Sequence, residues 1–481
     1  MASLTKVLTE GWLYSLKKNT SSTTTDSPNY WSSDASNLIT TSQPLSFTLG
    51  TGSQILTSTL QKCESTTHEL VIVTCFWAKS VSQEQISSLL LKLSAKGLAQ
   101  NRKINVRICF SSRSIVQKLF QTSSLKGKIY PASTWFDLGL PPPEDLRGLE
   151  MEVKSVFVRP FSVMHPKFIL VDRKLAFLPS CNVSWENWFE GCIEMRGGIT
   201  EKLFDFWVTF WAQGKTDLPA FLPQDDEPEV PHAQFLGPDT DTATSPSSAT
   251  EPAPKTSLIT TTSFPPTLLP PLTILLPSPH HLKPRFLIFT TPTPPPTPLN
   301  TFLLQAFSLA TSTIYIQTPN ITCFPVITAL HAALVRGVDV HLVTSSRLMI
   351  LEQLVTAGTV TEFEMWKLRR RYGKCEKKKR RGRDGGDVGV DVERGEGRLG
   401  SLRIGYHHPR DGVQGDEEPV KSHLKLVVVD EEVTVLGSGN MDRASWYTSQ
   451  ELGVAFFSKE LASEIRKDVD AGLEGRVDYV C

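Results

Sequence analysis

The residues best placed to do chemistry stand in the stretch Val420–Glu451. His423 and Lys425 lie two residues apart at the head of an apolar, β-branched run, Leu426–Val429, and Asp430 closes that run. Side chains at i and i+2 share one face of a strand, so this imidazole and ammonium point into the same space. A second short run, Val433–Leu436, leads into Gly437-Ser438-Gly439-Asn440. Glycine there lets the backbone approach a ligand, and Ser438 and Asn440 offer hydrogen bonds. An imidazole that titrates near neutrality, a fixed positive charge and a few neutral donors suit an anionic, phosphate-like group.

The pattern occurs a second time, far upstream. His165, Lys167 and Asp172 repeat the spacing, Phe168–Val171 repeats the apolar run, and Ser180 and Asn182 fall at the offsets of Ser438 and Asn440. Pro179 stands where Gly437 stands, which removes a backbone donor and stiffens the turn. Five residue types at fixed offsets arise by chance about once in several thousand chains, so two occurrences speak against coincidence. A phosphodiester repels anionic nucleophiles. Its cleavage needs a neutral or weakly basic nucleophile, cations on the non-bridging oxygens and an acid for the leaving group. One copy supplies half of that set; two copies brought together complete it.

The elements that must position these residues repeat as well. Leu70–Trp77 reads as a central strand, Ser82–Leu98 has helical spacing and Asn105–Phe110 reads as a strand. In the second half Thr313–Gln317, Pro325–Arg336 (closed by Gly337) and Val338–Thr344 give the same strand-helix-strand order, followed by helical spacing over Arg347–Thr361. This order points to parallel α/β units and an internal duplication. Thr200–Gln213 reads as an aromatic, core-packing helix, and Leu282–Phe289 as a strand opening the second half. The organisation is then a Ser/Thr-rich, poorly ordered extension over 1–34, a first lobe over 35–218, a Pro/Ser/Thr-rich linker over 219–280 and a second lobe over 281–481. The second lobe carries an insertion at 367–418 that opens with a basic run, Lys367–Arg383. That run reads as a solvated loop or as a contact for an anionic surface.

Composition narrows the classes. The 481 residues are 40% hydrophobic, enough for substantial cores, and 50 basic residues balance 50 acidic ones, which speaks against a general nucleic-acid coat protein. The eight cysteines are scattered with no Cys-x-x-Cys pair, so a zinc site is not expected and a reducing, intracellular setting is. Met1–Thr20 lacks the apolar core of a secretory signal, and no run reaches the roughly 20 apolar residues of a membrane span. The expectation is a cytoplasmic or peripherally attached protein.

The duplicated His-x-Lys and Asp motif closely resembles that of the phospholipase D superfamily, and among its branches the cardiolipin synthase and phosphatidylserine synthase-like group. The resemblance implies an α/β fold of two similar lobes, each a mixed sheet flanked by helices, related by a pseudo-two-fold with one active site between them. It implies a phosphodiesterase or phosphatidyltransferase acting on phospholipids without a cofactor or metal, one histidine forming a phosphohistidine and the other protonating the departing alcohol. It places the nucleophile in the first motif, His165, although the residues themselves leave that order open. It also implies a glutamate downstream of each motif to hold the histidine. Glu451 fits the second copy, and Glu190, with Glu194 as competitor, the first. Asp172 and Asp430 would brace the motifs across the lobe interface, and Ser180, Asn182, Ser438 and Asn440 would bind phosphate. Trp185, Trp188 and Trp446 read as lobe packing or as walls for an acyl or glycerol moiety, and His407-His408 as exposed. A nuclease of the same family and a silent phosphate-binding scaffold are the alternatives, with nucleic acid the less favoured partner.

Overall fold

In each half of the chain the apolar run between the motif lysine and aspartate becomes a buried strand in the middle of a sheet. The computed structural model describes residues 3–23, 34–113, 126–158, 162–212, 258–278, 293–384, 398–413 and 418–481. The first half opens with helix α1 (Leu4–Thr23), strand β1 (Ile39–Gly50) and helix α2 (Gly52–Cys63). It continues through β2 (Glu69–Phe76), helix α3 (Val81–Ala99), β3 (Ile104–Ser112), β4 (Leu149–Ser155), β5 (Phe168–Val171), β6 (Leu175–Pro179), β7 (Trp188–Gly197) and helix α4 (Gly198–Phe210). The sheet order is β4-β3-β2-β5-β6-β7-β1, with β2, β3 and β4 parallel and the remaining neighbours antiparallel.

The second half follows the same plan. It comprises β8 (Leu272–Ser278), α5 (Pro298–Leu309), β9 (Thr313–Gln317), α6 (Phe324–Arg336), β10 (Asp339–Ser345), α7 (Ile350–Ala357) and α8 (Thr361–Asp384). Then come β11 (Leu402–His407), β12 (Leu426–Val429), β13 (Val433–Gly437), the short α9 (Arg443–Tyr447), β14 (Glu451–Phe457) and α10 (Lys459–Leu473). Its order is β11-β10-β9-β12-β13-β14-β8, with β9, β10 and β11 parallel. Strand for strand this repeats the first half. Ile39 of β1 pairs with Ile274 of β8, so the two sheets join edge to edge into one mixed sheet. The strands nearest each motif (β2, β5, β9 and β12) are apolar on both faces because helices cover both sides.

Several elements depart from the sequence expectation. The extension over 1–34 contains α1, because Leu8, Trp12 and Leu16 recur every four residues and bury one helix face. Trp12 Nε1 also donates to the Pro298 carbonyl at 3.0 Å, tying α1 to α5. The expected linker contains β8, a strand lying between β1 and β14 in the sheet; its Leu-Thr-Ile-Leu-Leu core outweighs the surrounding prolines. The expected strand Leu282–Phe289 lies outside the described residues. The basic insertion opens as helix α8. Arg347–Thr361 is not one helix: Arg347 and Met349 take left-handed backbone angles, and Gly358 (φ 65°) ends α7.

Candidate active site

The motif aspartates act first on their own lobes. Asp172-Arg173 and Asp430-Glu431 all have φ between 50° and 56°, the conformation of a tight hairpin turn that costs an ordinary side chain energy. Each aspartate offsets that cost by gathering donors from the start of the neighbouring antiparallel strand, β2 or β9. Asp172 accepts from the amides of Thr67, His68 and Glu69 at 2.7–2.8 Å, and Asp430 from those of Thr311, Ser312 and Thr313 at 2.8–3.0 Å. The expected brace across the lobe interface is therefore replaced by one within each lobe, which fixes the β5–β6 and β12–β13 hairpins against β2 and β9.

Those hairpins deliver the histidines to the seam between lobes. There the entry to each motif strand pairs with the strand entry of the opposite lobe. His165 N donates to Gln450 O at 3.0 Å and Gln450 N to Val163 O at 2.9 Å; His423 N and Leu424 N donate to Phe189 O at 2.9 and 3.0 Å. The pairing sets Gln450 beside His165 and Phe189 beside His423, and the next residue in each case is a glutamate. His165 Nδ1 lies 2.8 Å from Glu451 Oε2, and His423 Nδ1 lies 2.7 Å from Glu190 Oε1. The glutamates are thus exchanged between lobes: Glu190 holds the second histidine, not the first, and Glu451 holds the first. Glu194, the competitor, faces away, accepting from Ser46 at 2.6 Å and pairing with Lys62.

The serines serve the carboxylates. Ser438 Oγ donates to Glu451 Oε2 at 2.5 Å while accepting from Leu452 N at 3.0 Å. Ser180 makes the equivalent contacts, donating to Glu190 and accepting from Gly191 N at 2.9 Å. A hydroxyl has one proton to donate, so neither serine keeps one for a phosphate oxygen, contrary to expectation. Asn182 and Asn440 each retain a buried side-chain Oδ1 without a partner, and Asn440 Nδ2 lies 3.1 Å from Asp442. Lys167 and Lys425 fold back onto the carbonyls of His165 and His423, at 3.0 and 2.6 Å, which steers their ammonium groups to the histidine side.

Burial governs the electrostatics. It pushes the His423 imidazole down to about 3, with the two lysines adding to the shift and Glu190 opposing it. The same causes, with Glu451 opposing, lower His165. The charge of each lysine lowers both rings, and the crossed contacts of His165 with Glu451 and His423 with Glu190 join the two motifs at the seam. Lys425, buried, is pushed down to about 7. At neutral pH both imidazoles are neutral. With Nδ1 facing a carboxylate as the N–H donor, Nε2 of each ring carries a free lone pair.

Trp188, read from the sequence as lobe packing or a wall for an acyl or glycerol moiety, stands with its ring centroid 4.7 Å from that of His423. Trp446 is buried and donates to the Asn440 carbonyl at 3.1 Å, while Trp185 is exposed, edge-on to Phe76. His407, at the end of β11, is buried against Phe189, with ring centroids 5.7 Å apart; only His408 reaches the surface. Among the described residues no group of histidine, cysteine and acidic side chains is arranged to hold a metal, and no helix is long and apolar enough to cross a membrane.

With this geometry in view, the likenesses to known proteins are informative. Residues 303–472 match the family described as cardiolipin synthase, PLD-like domain. That match lies within the second half of the chain, and with both motifs in place the chain resembles the cardiolipin and phosphatidylserine synthase-like members of the phospholipase D superfamily. In fold it is similar to phosphatidylserine synthase of Haemophilus influenzae Rd KW20, at 12% identity and a TM-score of 0.53 over 93% of this chain and 91% of that one. Weaker likenesses are to polyphosphate kinase from Porphyromonas gingivalis (11% identity, TM-score 0.40, 88% and 48% covered) and to Nuc, a phospholipase D family member from Salmonella typhimurium (16%, 0.26, 43% and 96%). No curated protein matches the chain in sequence.

Proposed function

We propose that the protein is a phosphodiesterase or phosphatidyltransferase acting on phospholipids through a phosphohistidine. The observation that carries this reading is the pair of imidazole–carboxylate contacts made across the seam, His165 with Glu451 and His423 with Glu190. Each leaves one ring nitrogen free beside shared ammonium groups.

In the first step Nε2 of His165 attacks phosphorus. The P–N bond forms as the bond to the leaving alcohol breaks, and Nε2–H of His423 gives that alcohol its proton. Lys167, Lys425 and the side-chain amides of Asn182 and Asn440 receive the charge on the non-bridging oxygens. In the second step His423 takes the proton from water or an acceptor alcohol, whose oxygen attacks phosphorus and breaks the P–N bond. A resting His423 that is neutral must acquire its proton with the substrate, and the incoming phosphate anion favours that. Glu190 and Glu451 stabilise whichever ring is cationic, and Asp172 and Asp430 hold the hairpins in register.

The test is a short-chain phosphatidylglycerol carrying labelled phosphate, mixed with enzyme and quenched in alkali, where an N-linked phosphate survives. Label on a peptide containing His165, with turnover persisting in EDTA, is expected. Turnover that vanishes in EDTA and returns with a divalent ion would overturn the mechanism. An acceptor such as glycerol in the same assay separates transfer from hydrolysis.

A further inference from the structure

The carboxyl ends of β9 and β10 open onto the same edge of the sheet as the histidines, and from that edge rises a helix with its apolar side outward. In α7 the buried residue is polar: Gln353 donates from Nε2 to the Leu348 carbonyl at 2.6 Å and accepts from Thr361 N and Oγ1 at 2.8 and 2.9 Å. The apolar residues face out instead, with Leu351 79% exposed, Leu354 46% and Val355 51%. This inverts the usual arrangement of a surface helix, which turns its apolar stripe to the core.

Thr361 links α7 both to the active-site loop and to α8. Its hydroxyl accepts from Ile321 N at 3.1 Å, and Ile321 bridges Met441, the neighbour of Asn440. It also begins α8, whose first turns present Phe363 and Trp366, stacked at 5.7 Å and each about half exposed. From Trp366 one face of α8 continues through Arg369, Arg370, Gly373, Lys374 and Lys377, at helical spacing and without an acidic residue. Trp185, 62% exposed, stands on the corresponding edge of the first lobe. Exposed leucine and tryptophan beside a run of lysine and arginine is the chemistry of a helix lying in a lipid interface. The rings and aliphatic chains enter the acyl boundary while the cations meet anionic headgroups.

We infer that α7 and the start of α8 dock the protein on an anionic bilayer. Leu351, Leu354 and Trp366 insert and the basic face of α8 lies along the headgroups, so that the histidine site opens towards the membrane that holds its substrate. The inference rests on the phospholipid reading of the site. A soluble protein gains nothing by exposing such a patch, and the adjacent positive charge selects a negative partner surface.

The experiment measures co-sedimentation with vesicles of phosphatidylcholine, with or without a phosphatidylglycerol share of roughly a third, beside turnover of a soluble short-chain phospholipid. Leu351→Glu with Leu354→Glu is expected to cut vesicle partitioning by about tenfold or more on anionic vesicles while leaving soluble turnover unchanged. The unchanged turnover and an unchanged circular dichroism spectrum report that the fold is intact. Lys374→Gln with Lys377→Gln is expected to weaken binding to the anionic vesicles only, by an amount that shrinks as salt rises. Undiminished partitioning of the leucine variant would overturn the inference. So would wild-type protein that ignores vesicles but forms a concentration-dependent dimer lost in the leucine variant, or that binds a single-stranded oligonucleotide through Lys374 and Lys377 instead. Vesicle binding that follows the expected pattern in a protein inactive on every phospholipid would uphold the docking surface and reject the lipid substrate.

Discussion

Glu190 and Glu451 each sit on one lobe and act on the histidine of the other. Replacing either with glutamine keeps the shape but removes the charge that fixes the ring tautomer and stabilises the imidazolium. We expect Glu190→Gln and Glu451→Gln each to lower kcat by about 10²–10⁴-fold with little change in KM, measured on a soluble phospholipid. Lys425 makes a second prediction. Burial lowers it to about 7, and a bound phosphodiester anion, which does not itself titrate near neutrality, favours the charged form. Affinity for a non-hydrolysable phosphodiester should therefore be highest below pH 7 and fall by up to about tenfold per pH unit above it, by calorimetric titration; an affinity flat from pH 6 to 9 would contradict this. Asp430 makes a third. Burial raises its pKa, but three backbone amides and a threonine hydroxyl prevail and hold it below its ordinary 3.8. A depressed carboxylate stabilises the fold above its unfolded pKa and loses that contribution as pH falls through the folded value. Asp430→Ala should thus cost about 1–3 kcal/mol in urea unfolding at pH 7, and the difference from wild type should shrink progressively below pH 3.8. The motif residues were legible in the sequence because their geometry is local: i and i+2 on a strand. The exchange of glutamates was not, since 286 residues separate His165 from Glu451 and only the seam pairing sets them together. The serine hydroxyls were legible as donors, but not their commitment to the carboxylates.

At the scale of the elements, α1 and β8 are the segments whose composition conceals their structure. Serine and threonine dominate the end of α1, and prolines flank β8, yet α1 buries an apolar residue every four positions and β8 buries a continuous apolar run on both faces. Trp12 is fully buried against α5 and hydrogen-bonded to Pro298. Its replacement by alanine should destabilise the protein by about 3–5 kcal/mol, read as a lower urea midpoint; a loss under 1 kcal/mol would mean that α1 packs only loosely. The sequence favoured the strongly periodic central strands and helices, where apolar spacing is unbroken. It was least informative where charge or proline masks a short apolar period. Helix α8 is the clearest case: its basic residues look like a loop in composition, although the spacing of Arg369, Arg370, Lys374 and Lys377 places those four on one face.

At the scale of the molecule, two half-sites of one duplicated lobe become one site. The sheet is continuous through β1 and β8, each histidine is held by the other lobe's glutamate, and the lysines of both motifs bear on both rings. The duplication was legible from two matching motifs and two matching strand-helix-strand orders. The way the lobes interlock was not, because it consists of backbone pairings between segments with no signature of their own, such as Phe189 with His423. The most direct measurement of a single composite site is the turnover of a soluble phospholipid by His165→Ala, His423→Ala and the double variant. A composite site predicts that each single change costs about 10⁴-fold or more in kcat, and that the double variant loses nothing further, since the two groups act as one unit. Single variants that each keep about half of the wild-type rate, with only the double variant inactive, would show two independent sites and contradict it.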